Sequence, residues 1–291
     1  MIKILFVLFM LPAVCFAQIK LNTSFENGDP LAGDSLRVSD GTCLPGQCAT
    51  VSSEFANTGT KSLKFVIDSS DDKIFGAVRN EEFAPKDSTH PYRFYKMSIM
   101  VRDYINDGKN MLLWQVKQGF TPTYTDNLPP ASLWIQNGRW IFWVQFDSVD
   151  VAINTHLVQR SYDLGPVVSN GFTNFVFEMK QSINYDGFIR FYRNNLPLKV
   201  KRFGGTDSVY TVHGANTNKQ YGRQHPYSYS RYGPYSFGGF GAWFHRVFFI
   251  DDLGIFDETF TIDQIIPVIP VPVPSPARKV KGYKFLNSNS L

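Results

Sequence analysis

Apolar residues along this chain recur at every second position in short bursts, the pattern of half-buried strands rather than of amphipathic helices. Ile19 to Phe25 opens the series, Ser62 to Ile67 (SLKFVI) and Arg93 to Val101 (RFYKMSIMV) alternate, and Met111 to Val116 (MLLWQV) is apolar on both faces. Ser132 to Gln136 and Arg139 to Phe146 flank Asn137-Gly138, two residues that accept positive φ and so close a tight hairpin. Phe172 to Lys180, Phe188 to Arg193 and Leu196 to Arg202 follow, with Asn194-Asn195 as a second turn, and Phe237 to Trp243 and Arg246 to Phe256 end it. The pattern amounts to about ten to thirteen short strands punctuated by Gly, Pro, Asn and Asp. Heptads, a fixed repeat and strand–helix alternation are absent from the sequence, and helices are expected only as short pieces in loops. So many strands pack most simply as two stacked antiparallel sheets, an all-β sandwich of the jelly-roll kind.

Both ends depart from this pattern. Met1 to Ala17 (MIKILFVLFMLPAVCFA) has one Lys, an apolar run and then small residues, which reads as a signal peptide over 1–17 and implies a secreted or periplasmic protein. A lipoprotein reading through Cys15 is disfavoured by the Pro12-Ala13-Val14 before it. The apolar run is short for a transmembrane helix and no later one is longer, so no membrane span is expected. From Ile266 the chain reads IPVIPVPVPSP, an extended polyproline-like linker, and then a basic tail. The expected division is a sandwich over 18–262 and a linker with tail over 263–291. Cys43 and Cys48, in GTCLPGQC, remain after signal removal. Two thiols with no nearby His are half a zinc site, so a disulfide that staples the loop is expected.

Composition narrows the class. Of 291 residues, 43% are hydrophobic, 15% aromatic and 19% charged, which excludes a disordered chain, a coiled coil and a collagen-like fibre. The formal charge of +4 belongs to the tail, where Arg278, Lys279, Lys281 and Lys284 meet no acid. The body is close to neutral, so overall charge gives no argument for nucleic acid, and any polyanion site must come from local clustering.

A succession of short motifs carries a family likeness: Phe25-Glu26-Asn27-Gly28, GTKSLKFV over Gly59 to Val66, Arg79-Asn80-Glu81, and Leu113-Trp114-Gln115-Val116-Lys117. It continues with the Leu133 to Trp143 hairpin, DGFIRFY over Asp186 to Tyr192, Gly233-Pro234-Tyr235-Ser236-Phe237, and VFFIDD over Val247 to Asp252. This order resembles the concanavalin A-like jelly-roll polysaccharide lyases, which include heparin, alginate and glucuronan lyases. The resemblance implies an acidic polysaccharide as partner, cleavage by β-elimination, no required cofactor, and a groove lined by an Arg-x-Glu, a Gln-x-His and a Tyr-x-Lys strand. Arg79 and Glu81 match the first and Gln115 begins the second, where Lys117 replaces the His. Tyr235 begins the third, where Phe237 replaces the Lys, and Gly241 stands where a further Tyr is expected.

β-Elimination needs a neutralised carboxylate, a base for the C5 proton and an acid for the departing O4. Residues i and i+2 share a strand face, so Arg79 with Glu81, Gln115 with Lys117, and Arg190 with Tyr192 each offer a pair to a groove. In this reading Arg79, Glu81, Gln115, Arg190 and Tyr192 bind substrate, while Lys117, Tyr232 and Tyr235 are the catalytic candidates. Other readings stay open: Arg79 and Glu81 as a structural ion pair, Lys117 as an anion ligand without chemistry, and HPYSYSRYGPY, with Tyr227, Tyr229, Tyr232 and Tyr235, as a loop wall or stacking platform. The five His residues lack metal-ligand spacing; His213 and His225 fit a groove or a surface, and His156 is a source for the missing imidazole. If the terminal strands pair, Glu26 and Asp252 meet, and a structural calcium would suit their oxygens. The oligomeric state cannot be read. A non-catalytic glycan-binding module on the same scaffold is the alternative function, and a structural or adhesion domain with a Pro-rich stalk is a third.

Overall fold

The structure, a computed structural model, describes residues 19–32, 36, 48–68, 70–71, 77–84, 92–118, 129–147, 157–182, 186–213, 219–220, 223–224, 228–237 and 245–266. Cys43, His90, His156, His225, the Met1 to Ala17 segment and the tail after Ile266 lie outside this set. The first strands are β1 (Ile19–Thr23), β2 (Thr50–Ser52), β3 (Ser62–Asp68), β4 (Ala77–Arg79), β5 (Glu82–Phe83), β6 (Tyr92–Arg102) and β7 (Met111–Gln118). Then come β8 (Ala131–Gln136), β9 (Arg139–Asp147), β10 (Leu157–Pro166), β11 (Thr173–Lys180), β12 (Phe188–Arg193), β13 (Leu196–Pro197) and β14 (Val200–Arg202). The series closes with β15 (Ser208–Val209), β16 (Thr211–His213), β17 (Lys219–Gln220), β18 (Arg223–Gln224), β19 (Ser228–Phe237), β20 (His245–Asp257) and the one-turn helix α1 (Ile262–Ile265).

These strands form the expected sandwich. The first sheet runs β13-β12-β11-β6-β20-β3-β2, with β1 added on β20 and β16 on β12; the second runs β15-β14-β10-β9-β8-β7-β19-β4, with β5 on β19. Every pairing between these strands is antiparallel. One core fills the space between the sheets: Leu63, Phe65, Tyr95, Phe177, Phe191 and Phe248 from the first meet Leu113, Trp114, Leu133, Trp140, Phe142 and Tyr232 from the second. The Phe142 and Phe177 rings meet edge-on at 62°, with their centroids 4.7 Å apart.

Asn137 and Gly138 take φ of 50° and 75° and close the β8–β9 hairpin, while Asn194 and Asn195, at 51° and 66°, turn β12 into β13. Two elements differ from the sequence expectation. Leu157–Pro166 is a full strand, hidden in the sequence because Arg160 interrupts a core-facing row of Val158, Tyr162 and Leu164. The tyrosine-rich segment is no loop: Ser228–Phe237 is a central strand between β7 and β4. It absorbs Gly233-Pro234 as a bulge, since Tyr232 pairs with Trp114 but Tyr235 with Leu112. Gly233, at φ 123°, is required there, because a Cβ would lie 2.2 Å from the Asn80 carbonyl oxygen.

Candidate active site

Alternation along the second sheet sends Trp114, Val116, Leu133, Phe142 and Tyr232 into the core and their neighbours to the outer face. A second bulge, in β7, pairs Leu112 with Trp134 and Trp114 with Leu133, so Leu113 is an extra residue and Leu112 joins Gln115 outside. Two rows of side chains therefore cross this face perpendicular to the strands. One links Arg79, Tyr235, Leu112, Trp134, Ile141 and Asp163 through successive pairings. The other links Arg231, Gln115, Ser132, Trp143 and Ser161.

Where these rows meet β4 and β19 lies a charged cluster built on Glu81. Its carboxylate is fully buried; Oε1 accepts from Gln115 Nε2 at 2.5 Å. Arg231 Nη1 approaches Oε2 at 3.4 Å and Arg79 Nη1 lies 3.9 Å from it. The Arg79 guanidinium also lies 4.0 Å over the Tyr235 ring, a cation–π contact that ties β4 to β19. Among the described residues two guanidinium groups face this one carboxylate, and Lys117, half-buried in register with Tyr229, stands two residues from Gln115. The Tyr235 phenol is raised above its ordinary value by burial, a shift that Arg79 partly offsets. It is therefore a neutral phenol near pH 7, able to donate a proton.

Arg79, Glu81, Gln115 and Tyr235 thus come together and Lys117 follows Gln115 by two residues on the same strand, with one qualification: buried Glu81 holds the cations and the amide rather than facing outward. Three other candidates fall elsewhere. Tyr232 is fully buried in the core, where its hydroxyl meets Ser230 Oγ at 3.2 Å and burial pushes its phenol far up. Arg190 and Tyr192 share a face as expected, but it is the outer face of the first sheet, on the opposite side of the sandwich. There Glu178 Oε1 accepts from Arg190 Nη1 at 2.6 Å and Oε2 from the Tyr192 hydroxyl at 2.9 Å. Burial, together with Glu178, pushes the Tyr192 phenol up to about 12. Among the described His residues, His213 pairs with Phe188 on the first sheet and His245 meets Asp68 at 3.2 Å, also there.

Glu26 and Asp252 do reach a common loop, 57–61. Glu26 accepts from the Thr60 and Lys61 backbone N–H groups and the Thr60 hydroxyl at 2.8–2.9 Å. Asp252 accepts from Asn57 Nδ2 at 2.6 Å and Thr58 Oγ1 at 2.5 Å. Hydrogen-bond donors point at these oxygens where a calcium ion would need lone pairs, so the arrangement fits a pinned loop and not a cation cage. No group of three His, Cys, Asp or Glu side chains converges among the described residues.

Sequence reasoning missed Arg231, Trp134 and Trp143. Arg231 lies in the tyrosine-rich segment, where the bulge at Gly233-Pro234 breaks the alternation. The tryptophans are the outward members of the β8–β9 hairpin, alternating with core-facing Leu133, Ile135 and Phe142. Their rings lie 6.2 Å apart at 48°.

The family described as polysaccharide lyase matches residues 26–254. No curated protein sequence matches the chain. Among solved structures, the chain is similar to an endo-β-1,4-glucuronan lyase from the fungus Trichoderma reesei, at 16% identity and TM-score 0.57 over 81% of this chain and 94% of that one. It is similar to the PL-14 alginate lyase from Aplysia kurodai, at 13% identity and TM-score 0.52 over 83% and 100%. It is also similar to the catalytic domain of a glycoside hydrolase family 131 protein from Coprinopsis cinerea, at 13% and 0.52 over 84% and 97%. At such identities the likeness is one of fold, and that fold serves both lyases and a hydrolase.

Proposed function

This chain belongs to the polysaccharide lyase family, and we propose that it cleaves a uronic-acid polysaccharide by β-elimination on the outer face of its second sheet. The observation that carries this reading is the Glu81 cluster, which presents two guanidinium groups and an amide beside a buried, neutral tyrosine. Arg79 and Arg231 neutralise the uronate carboxylate, which acidifies the C5 proton by stabilising the negative charge that develops when it leaves. Lys117 is the base that takes that proton. The electron pair forms the C4–C5 double bond, the C4–O4 bond breaks, and the Tyr235 hydroxyl protonates O4. Glu81 is a positioning residue that keeps both guanidinium groups and Gln115 in place. The reaction written this way draws on side chains alone. Action outside the cytoplasm is supported by the Met1 to Ala17 pattern.

The test is ultraviolet absorbance of the unsaturated uronate formed when the purified protein meets alginate, glucuronan, heparin-type glycans and pectate in turn. A rise with one of them is expected. Retarded migration in a gel containing a substrate, without any rise, would instead make the protein a glycan-binding module.

A further inference from the structure

Two strands beyond Gln115 the same face changes character. The rows that carry Arg79, Arg231 and Gln115 continue into Trp134 and Trp143, both half-buried, with part of each indole open. Trp134 is fixed from behind: its Nε1–H donates to Ser132 Oγ at 2.8 Å, and its ring packs on the Leu112–Tyr235 cluster. The aromatic surface is thereby continuous with the tyrosine of the charged cluster. Trp143 keeps part of its ring open, whereas its Nε1 and, on the next outward position of the same strand, Gln145 Oε1 are closed off from solvent. The open parts of two tilted indoles side by side are what a sugar ring would use: its C–H face covers the aromatic surface.

We propose that Trp134 and Trp143 form a stacking subsite for a second sugar ring of the polysaccharide held at Arg79 and Arg231. This rests on the reading under Proposed function and adds direction and length to it. Adjacent strands are about 4.8 Å apart, so Gln115 and Trp143 are separated by roughly 10 Å. The glycan therefore lies across the strands, and productive binding requires an oligosaccharide that reaches from β19 to β9.

The experiment is equilibrium binding of glucuronan and alginate oligosaccharides, from disaccharide to hexasaccharide, to the Tyr235→Phe protein, in which turnover is suppressed. Trp134→Ala, Trp143→Ala and the milder Trp143→Phe are compared in that background. Affinity for the recognised series should rise about tenfold once the chain reaches the tryptophans. The rise should vanish in both alanine variants and be partly kept in Trp143→Phe. Cleavage by the unmodified protein, with the same length dependence in the alanine variants as in their parent, would overturn the subsite and leave the lyase reading intact. If the unmodified protein neither binds nor cleaves either series or any other polyuronate, both fail together.

Discussion

Gln115 and Glu81 are joined side chain to side chain at 2.5 Å, and neither is more than 1% exposed. A carboxylate so placed does not bind substrate; it is the counter-charge that allows Arg79 and Arg231 to stand on a half-buried face. Removing it takes away the buried carboxylate that both guanidinium groups face. Glu81→Ala should therefore cost about 3–5 kcal/mol of stability, read as a fall in the urea midpoint. Glu81→Gln, which keeps the shape, should cost less and still impair turnover.

Tyr235 and Tyr232 are three residues apart and on opposite sides of the sheet. Tyr235→Phe should lower kcat by about 10²–10⁴-fold with little change in KM, the loss expected for a general acid. Tyr232→Phe removes only a hydroxyl bonded to Ser230 inside the core. It should cost about 1 kcal/mol of stability and leave turnover near the unmodified level. Steady-state kinetics of the two variants side by side checks both statements.

Arg190 and Tyr192 engage Glu178 on the far side of the sandwich. Arg190→Ala should therefore change kcat/KM by less than about twofold, whereas Arg79→Ala should lower it by about 10²–10³-fold, as removal of a charge-stabilising donor does. Equal losses in the two variants would mean that the reaction is not confined to the second sheet.

Glu82, adjacent to Glu81 and pointing the other way, supplies a pH dependence. Burial pushes its carboxyl from 4.5 up to about 8, and among the described residues Oε2 has no hydrogen-bond partner. Between these values the folded protein holds a proton that the unfolded chain has released, so stability falls as pH rises and levels off above about 8. The slope contributed by this one group approaches about 1.4 kcal/mol per pH unit. Asp251, raised to about 6 by burial, acts with the same sign over a lower window. Comparing urea unfolding at pH 5 and pH 8 in the unmodified protein and in Glu82→Gln isolates the Glu82 contribution. The substitution should flatten the dependence.

Much of the fold was readable in the sequence because period-2 alternation and the Asn137-Gly138 and Asn194-Asn195 turns are local signals. So was the pairing of Gln115 with Lys117, since i and i+2 share a face on any strand. Alternation cannot say which of the two outer faces a pair occupies, and for that reason Arg190 and Tyr192 looked equivalent to Arg79 and Glu81. Nor does it survive a bulge: the extra residue at Gly233-Pro234 disguised a central strand as a loop and hid Arg231, which pairs directly with Gln115. Trp134 and Trp143 were overlooked for a different reason. An apolar residue in a hairpin reads as core, and only the register shows these two facing away from it.

The most direct test of the account is the rate of unsaturated uronate formation by Arg231→Ala, on whichever polyuronate the unmodified protein cleaves. Arg231 faces Gln115 in register and approaches Glu81 at 3.4 Å. A loss of about 10²-fold or more in kcat/KM, with the fold retained, is the predicted result. Turnover within twofold of the unmodified protein would contradict the placement of the reaction on this face.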